Sequence, residues 1–394
     1  MRPAHYIDMG SHETKTAVPS RAALFPILEQ EAPYLNHAAV GPWPRCTADA
    51  VKSFADENMR EGSNNFMQWI AREKQLRAGL AQLTGASSPD DIALLKNTTE
   101  GICLVAGGLD WSAGDNIVLP SAEFPSNRLP WLSLPGPGVE AREIDIRAGE
   151  DCEAALISAM DEQTRLLAVS SVQWGDGLRL DIERLGRACR ERGVLFFVDA
   201  IQQLGALPVD VETAHVDFLA ADAHKWLLAP EGIAVFYCRE GVRDQLKLVQ
   251  QGWHMVDRYW DFDRDEWTPS SSALRFEAGS PNSTGQAALL ASVSLLLETG
   301  MDAVAEHILR NTGILMNELP AIPGIRLVSR TDESRRSGIV SFVHERVSQK
   351  AIYDGLRKAG IACALREGAV RVSPHFYQDR RELGLFLERL AHIV

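Results

Sequence analysis

The chain has 394 residues, of which 45% are hydrophobic and 24% charged, which is enough for a large core and more than one domain. Its 53 acidic and 40 basic residues give a net charge of −13, which argues against nucleic acid or an anionic membrane as a main partner. The 6 cysteines lack CxxC spacing, and no secretory leader or membrane span is evident. We therefore expect a cytoplasmic protein with reduced thiols and no metal site.

Three regions follow one another along the chain. Residues 1–20 are polar and predict a flexible N-terminal arm. Residues 21–285 predict a large α/β domain, because two segments of helical periodicity, 47–61 and 66–83, precede apolar strands that alternate with helices. The predicted strands are 117–120, 166–172, 194–198, 216–221 and 233–238. Such alternation is typical of a mostly parallel sheet with helices on both faces.

Residues 286–394 predict a smaller C-terminal α+β domain, and a helix over 285–298 leads into it. Its expected strands are 325–329, 339–343 and 371–373, and its expected helices are 349–359 and 379–392. Within the large domain, residues 253–267 are rich in aromatic and acidic side chains and have no periodicity, which is typical of a functional loop.

Polar side chains follow two of the predicted buried strands. Asp199 ends the run 194–198, and His224 and Lys225 come just after the run 216–221. Because ligands of open α/β sheets bind at the carboxyl ends of strands, we expect these side chains to meet in one crevice. A carboxylate, an imidazole and an amine in one crevice suit the cofactor pyridoxal 5'-phosphate (PLP).

Two of these groups match what PLP requires. A carboxylate keeps the pyridine nitrogen protonated, and an amine forms a Schiff base with the aldehyde and later moves protons. Asp199 and Lys225 are the candidates, since a pyridinium is a suitable partner for a buried carboxylate. Taken singly, Asp199 could cap a helix and Lys225 could lie on the sheet rim, but the pair favours the cofactor.

A third element predicts a phosphate site. Thr98 and Thr99 stand at the start of a helix-like run, 102–109. Hydroxyls and free backbone N–H groups at a helix N-terminus bind phosphate well. The alternative is an ordinary helix cap with nothing bound; with Asp199 and Lys225 in the same chain, phosphate binding explains the motif better.

In these motifs, and from about Tyr34 into the C-terminal helix, the sequence resembles the class V aminotransferase group of fold-type I PLP enzymes. That group includes cysteine desulfurases, selenocysteine lyase, kynureninases and isopenicillin N epimerase-like proteins. The resemblance implies a mostly parallel sheet of the seven-stranded type and PLP as cofactor. Its motifs are Tyr34-Leu35-Asn36-His37-Ala38-Ala39, Asn97-Thr98-Thr99-Glu100-Gly101, Val198-Asp199-Ala200-Ile201-Gln202, Ala223-His224-Lys225-Trp226, Arg275-Phe276-Glu277-Ala278-Gly279-Ser280-Pro281 and Arg371-Val372-Ser373-Pro374.

The resemblance also implies roles for cofactor-binding residues. Gln202 would donate to the phenolic oxygen of PLP, and Phe124 would stack on the pyridine ring. Gln173 would reach the same crevice from a strand end. The residues expected to contact the phosphate are Thr98, Thr99 and His224.

Two further residues bear on the phosphate. Ser280 matches a hydroxyl that reaches the phosphate of the neighbouring subunit, which implies a homodimer with shared active sites. Asp222 departs from the small hydroxyl residue of many family members. Because a carboxylate repels phosphate, we expect Asp222 to turn elsewhere.

Substrate-binding residues are predicted at both ends of the chain. Arg366 is the candidate for the carboxylate of an amino acid substrate, because a guanidinium can bind it with two hydrogen bonds. Arg371 is the competitor, and its place in a strand favours a structural role. Asn36 and His37 are expected to help shape the pocket.

The reaction type is less constrained. Desulfurases carry a nucleophilic cysteine on a loop beyond the arginine and a histidine where this chain has Phe124. Only four residues separate Arg366 from Arg371, and Cys363 lies in an apolar run that indicates core. Desulfurase activity is therefore not expected. The family that the sequence resembles favours transamination of an amino acid, which is the first expectation. The alternatives are a carbon–sulfur or carbon–carbon lyase or an epimerase, and a PLP-fold binding protein without catalysis.

Overall fold

A sheet of seven strands forms the centre of the large domain. The computed structural model describes residues 21–134, 138–263 and 265–394, so the arm predicted for residues 1–20 lies outside the described residues. The strand order is β1-β7-β6-β5-β4-β2-β3. The strands are β1 (Ile92–Leu95), β2 (Asn116–Pro120), β3 (Glu140–Ile144), β4 (Thr164–Ser170), β5 (Leu195–Asp199), β6 (Phe218–Asp222) and β7 (Ala234–Cys238).

The sheet is mostly parallel, as predicted. Strands β3, β2, β4, β5 and β6 pair in parallel, whereas β7 is antiparallel to both β6 and β1. All five predicted strands are present. The sequence did not reveal β1, which is short, or β3, an edge strand whose residues Glu140, Arg142 and Glu143 are charged.

Helices cover both faces of this sheet. Along β5, Phe196 and Val198 enter one apolar core while Phe197 enters the other, so the strand is buried on both sides. Over the whole described part of the chain, including the C-terminal part, the helices are α1 (Arg21–Leu24), α2 (Arg45–Glu61), α3 (Phe66–Thr84), α4 (Thr98–Gly108), α5 (Leu129–Leu132), α6 (Cys152–Ala159), α7 (Ile182–Arg192), α8 (Glu240–Arg243), α9 (Ser283–Thr299), α10 (Met301–Glu318), α11 (Gln349–Lys358) and α12 (Arg380–Ala391).

A second, antiparallel sheet organises the C-terminal part of the chain. Its strand order is β10-β11-β9-β8, and α11 and α12 pack on it. These strands are β8 (Ile325–Leu327), β9 (Val340–His344), β10 (Ala364–Arg366) and β11 (Ala369–Val372). Residues near the start of the chain join this part, because Tyr34 and Asn36 form bridges to Ala362 and Ser373.

The change from one core to the other occurs within α10. Val304 and Ile308 pack in the large-domain core, whereas Leu315 packs in the core of the second sheet. The predicted boundary between residues 285 and 286 instead falls inside α9, whose Leu289 and Val293 belong to the large-domain core. The apolar pattern continues through both helices and carries no mark of this change.

The structure also bears on membrane association. Among the described residues, no single helix has the length and apolarity of a membrane span. Only the pair Ser283–Thr299 and Met301–Ala321 reaches both, by length and composition alone, and it is bent by 84°.

Close packing of α7 against the connection between β5 and β6 requires a glycine, and this generates a test of the fold. A Cβ at Gly186 would lie 1.8 Å from the backbone oxygen of Ala214, whereas a Cβ at Gly384 in α12 would meet nothing within 4 Å. We expect Gly186→Ala to destabilise the protein by roughly 1–3 kcal/mol. Gly384→Ala, the matched control, should be neutral or stabilising by up to about 1 kcal/mol.

Thermal unfolding midpoints of the two variants, measured beside the wild type, provide the check. Equal midpoints for both variants would show that α7 does not pack as closely as described.

Candidate active site

A cavity of about 340 Å³ opens at the carboxyl ends of β5 and β6. The start of α4 closes one side, and the β10–β11 hairpin of the small domain closes another. Most of the predicted site residues meet here, namely Thr98, Thr99, Phe124, Asp199, Gln202, His224, Lys225 and Arg366. Ser126, Trp174, Asp222 and Arg371 also line the cavity.

Asp199 and Lys225 are both buried, and neither forms an ion pair with another described residue. Asp199 Oδ1 accepts a hydrogen bond from the backbone N–H of Ile201 at 3.0 Å. Burial raises the pKa of Asp199 to about 6 and lowers the pKa of Lys225 to about 8, although the two charges partly offset this effect in each other. The site therefore holds a buried acid and a buried base, and neither has an ion-pair partner among the described residues.

The start of α4 presents polar groups to the same cavity. Asn97 caps the helix by accepting from Glu100 N–H at 2.9 Å. The Thr98 hydroxyl is buried without a hydrogen-bond partner among the described residues, and Thr99 Oγ1 donates to Ser126 Oγ at 2.9 Å. An unpartnered buried hydroxyl at a helix N-terminus fits an oxyanion such as phosphate.

Asp222 does not turn away from this region as expected. It lines the cavity, and its Oδ1 lies 3.1 Å from His224 Nδ1, although neither atom is aligned for a hydrogen bond. The carboxylate therefore faces the imidazole, whose other nitrogen has no hydrogen-bond partner among the described residues.

Phe124 and Trp174 form an aromatic wall. The Phe124 ring centroid lies 5.7 Å from Lys225 Nζ and 5.5 Å from the ring of Trp174, which meets it edge to face. Phe124 is 41% exposed, so one face of its ring is available to a planar ligand. The aromatic wall agrees with the predicted stacking role of Phe124.

Gln202 is held by its neighbours. Its Oε1 accepts from Trp226 Nε1 at 2.9 Å, and its Nε2 donates to the carbonyl of Ala38 at 3.0 Å. An amide nitrogen carries two hydrogens, so one donor remains for a ligand. The predicted donation to the phenolic oxygen is therefore compatible with these contacts.

His37 and Asn36, which are predicted to help shape the substrate pocket, do not line this cavity. His37 is fully buried; its Nδ1 donates to the carbonyl of Ser373 at 2.8 Å, and its Nε2 accepts from the Tyr377 hydroxyl at 2.5 Å. Burial lowers the pKa of His37 to about 4, so the ring is neutral. Both ring nitrogens are occupied, and the neighbouring Ala38 reaches the cavity instead.

Gln173 also lies outside the cavity lining. Its Nε2 donates to the Glu123 carboxylate at 3.1 Å, and that carboxylate also accepts from the N–H of Ser170 at 2.6 Å. Burial, with a smaller contribution from the charge of Asp199, raises the pKa of Glu123 to about 7. Glu123 was not among the predicted site residues. Its position directly before Phe124 was the signal in the sequence that it lies near the site.

Ser280 lies in a separate cleft that Leu95, Lys96 and Gly279 also line. Ser280 does not line the cavity of its own chain. Its contact with the phosphate of a neighbouring subunit, and therefore the shared homodimer site, stay predictions.

The two arginines of the hairpin differ from expectation. Arg371 is 2% exposed, and its Nη1 donates to the carbonyl of Trp174 at 2.6 Å while its buried Nε has no partner among the described residues. Burial and the nearby charge of Arg366 lower the pKa of Arg371 to about 9. Arg366 donates to the carbonyl of Leu365 at 2.9 Å. Arg371 is therefore a cavity residue with an unused donor, and the structural role predicted for it is incomplete.

The connection between these arginines is a tight turn. Arg366 pairs with Ala369 across the hairpin, and only Glu367 and Gly368 form the turn, with φ of 47° and 76°. Such a two-residue turn has no room for a loop carrying a nucleophile. Cys363 is buried in the core of the second sheet, where burial raises the pKa of its thiol to about 12.

The residues present fit PLP. Asp199 suits the pyridinium nitrogen, Lys225 the aldehyde, Phe124 the ring face, and Thr98 with the α4 N-terminus the phosphate. Within the described residues, no cluster of histidine, cysteine and carboxylate side chains has the arrangement of a metal site.

Comparisons with known proteins agree with this geometry. Residues 33–383 match the family model described as "Aminotransferase class-V". A relative from Methanothermobacter thermautotrophicus named "Probable cysteine desulfurase" is 30% identical over 381 residues, which cover 91% of this chain and 94% of the relative.

Two solved structures have the same fold. The cystine C–S lyase C-DES in complex with its product cysteine persulfide has a TM-score of 0.85 and 25% identity, covering 94% of this chain and 99% of that one. A C-DES mutant with glycine covalently linked to its PLP has a TM-score of 0.87 and 24% identity, covering 95% and 99%. This chain uses PLP and belongs to the class V aminotransferase family.

Proposed function

We propose that the protein is a PLP-dependent carbon–sulfur lyase that eliminates the sulfur substituent from Cβ of an amino acid without a cysteine of its own. The observation that carries the proposal is the two-residue turn between Arg366 and Arg371. It leaves no room between the two arginines for a loop that could bring a thiol into the cavity. The products would be pyruvate, ammonia and a thiol, with one water consumed.

The cysteines and the relatives support this choice over the aminotransferase that the sequence first suggested. All 6 cysteines lie within the described residues, and none lines the cavity. The relative from Methanothermobacter thermautotrophicus and one of the two solved structures are named for breaking carbon–sulfur bonds, as cysteine desulfurase and cystine C–S lyase. Elimination is the carbon–sulfur chemistry that needs no protein thiol.

Four residues of the cavity have defined roles in this scheme. When bound, PLP supplies an electron sink for bond breaking at Cα. The Lys225 amine, with its pKa of about 8, takes the α-proton, and the buried Asp199 carboxylate holds a positive charge at the far end of the ring. The aromatic wall of Phe124 and Trp174 excludes water from one side of the cavity.

We assign the substrate α-carboxylate to Arg371 and not to Arg366. The Arg371 guanidinium is buried, has an unused Nε donor and is oriented by the Trp174 carbonyl. The buried charge of Arg371 has no counterion among the described residues. A substrate carboxylate that accepts hydrogen bonds from this guanidinium would supply one.

Lys225 should react with PLP at lower pH than an ordinary lysine. Its amine is neutral above about pH 8, because burial lowers its pKa from 10.5 to about 8. The initial rate of covalent labelling of the apoprotein, trapped by borohydride, should rise with pH and level off near that value. Peptide mapping should place the label on Lys225, and Lys225→Ala should bind PLP only non-covalently. A label on another lysine would sink this assignment.

Asp199→Asn should slow cleavage of the substrate Cα–H bond. The change keeps the shape of the site but removes the charge at the pyridine nitrogen, so exchange of the α-proton with solvent should fall about a thousandfold or more. PLP affinity should fall less. Asp217→Asn is the control: this buried carboxylate lies at the other end of β6 and accepts from Phe196 N–H at 2.9 Å. Near wild-type exchange in Asp199→Asn would contradict the role of Asp199.

The reaction type can be read from products and from cysteine variants. With β-chloro-L-alanine or an S-substituted cysteine, we expect pyruvate and ammonia while the cofactor stays PLP. Conversion of the cofactor to pyridoxamine phosphate would indicate transamination. Cys363→Ser and Cys103→Ser should largely retain turnover, because Cys363 is core and Cys103 is exposed outside the cavity. Loss of turnover in a folded, PLP-loaded cysteine variant would restore a persulfide mechanism.

A further inference from the structure

Resting on the proposed function, we propose that the substrate carries a second anionic group on its sulfur substituent and that Arg366 binds this group. An S-(carboxyalkyl)cysteine or another amino acid with a carboxylate beyond the sulfur belongs to this class. Arg366 would then determine specificity, while Arg371 binds the α-carboxylate common to all amino acids.

The first observation is an excess of positive charge on one wall of the cavity. Arg366 and Arg371 both line it from the same hairpin, and no described carboxylate forms an ion pair with either. The charge of Arg366 is felt at Arg371, whose pKa it helps to lower. Two neighbouring cations without counterions favour the binding of more than one negative charge.

The acidic residues nearby are engaged elsewhere. Glu367, next to Arg366 in the turn, accepts from Arg147 Nη2 at 2.8 Å, and Arg147 also pairs with Asp176 at 3.0 Å. Asp222 faces His224 on the large-domain side of the cavity. The hairpin thus directs its own carboxylate away from Arg366.

The α-carboxylate of the substrate neutralises only one of the two cations. The phosphate of PLP does not neutralise the other in the proposed arrangement, because its predicted site is at Thr98, Thr99 and His224 on the large domain. Arg366 uses one N–H for the carbonyl of Leu365, and a guanidinium has further donors for an anion. A second anion on the substrate is the partner that this geometry lacks.

Two isosteric substrates test the proposal. S-carboxymethyl-L-cysteine and S-carbamoylmethyl-L-cysteine differ only in a terminal carboxylate or amide, and each would consume one water to give pyruvate, ammonia and the corresponding thiol. We expect the wild-type holoenzyme to prefer the carboxylate, with kcat/KM about 10- to 100-fold higher. Much of the difference should lie in KM, and added salt should reduce it.

Variants of Arg366 should change this preference. In Arg366→Gln the ratio of the two kcat/KM values should fall about 10- to 100-fold, and Arg366→Lys should retain part of it. Arg346→Gln is the matched control, because it removes an exposed positive charge that does not line the cavity. If Arg366→Gln does not fold, the wild-type ratio and its salt dependence still decide the question.

The outcomes separate this inference from the proposed function. No pyruvate from β-chloro-L-alanine or from either cysteine derivative would overturn the lyase itself. Pyruvate from β-chloro-L-alanine with a wild-type ratio near one would leave the lyase standing and overturn the second anion site. Equal losses for both substrates in Arg366→Gln would also overturn it, since Arg366 would then bind the part that the substrates share.

Discussion

The site depends on two opposite charges that are buried close together but not in contact. Asp199 ends β5 and Lys225 follows β6, and burial shifts the pKa of each toward its neutral form. A direct ion pair would satisfy both groups and leave nothing for a ligand. The sheet positions them through two different strands, and Asp199 accepts a further hydrogen bond from Ile201 N–H. The cofactor fits between them because it brings a cationic nitrogen for one and an aldehyde for the other.

The segment after β4 is one of the places where the small domain contacts the large domain near the site. The Trp174 carbonyl accepts from Arg371 Nη1, and the Gly175 carbonyl accepts from Ser341 Oγ at 2.7 Å. The Trp174 ring packs on Phe124, and its Nε1 donates to the carbonyl of Ala122 at 3.0 Å. The same short segment therefore positions the aromatic wall and the guanidinium. A substrate held by Arg371 is placed relative to the Phe124 ring by backbone contacts and not by a mobile loop.

Sequence patterns predicted the parts of the site that lie at strand ends and helix starts. Asp199, Lys225 and Thr98 were found because buried strands and a capped helix have clear periodicity. The choice between Arg366 and Arg371 depended on the hairpin register, which no periodicity reveals, and the strand position of Arg371 suggested structure although its side chain lines the cavity. His37 adjoins cavity residue Ala38, yet its ring points into a buried network with Tyr377, so its contact with substrate stays a prediction. Contacts between residues far apart in the chain decide where these side chains lie. Periodicity in a single sequence does not reveal such contacts.

The turn between β10 and β11 links the fold to the chemistry. Backbone φ values of 47° at Glu367 and 76° at Gly368 lie in the left-handed region, which glycine adopts readily and other residues adopt at a cost. Arg147 holds the Glu367 side chain, which helps to stabilise this conformation. The short turn therefore has two consequences. It leaves no room for a loop carrying a thiol, and it sets two arginines on one wall while Glu367, the acid between them, pairs with Arg147. Loss of a protein nucleophile and gain of an anion-binding wall would then have a common structural cause, since a leaving group that no thiol captures must be recognised by the pocket itself.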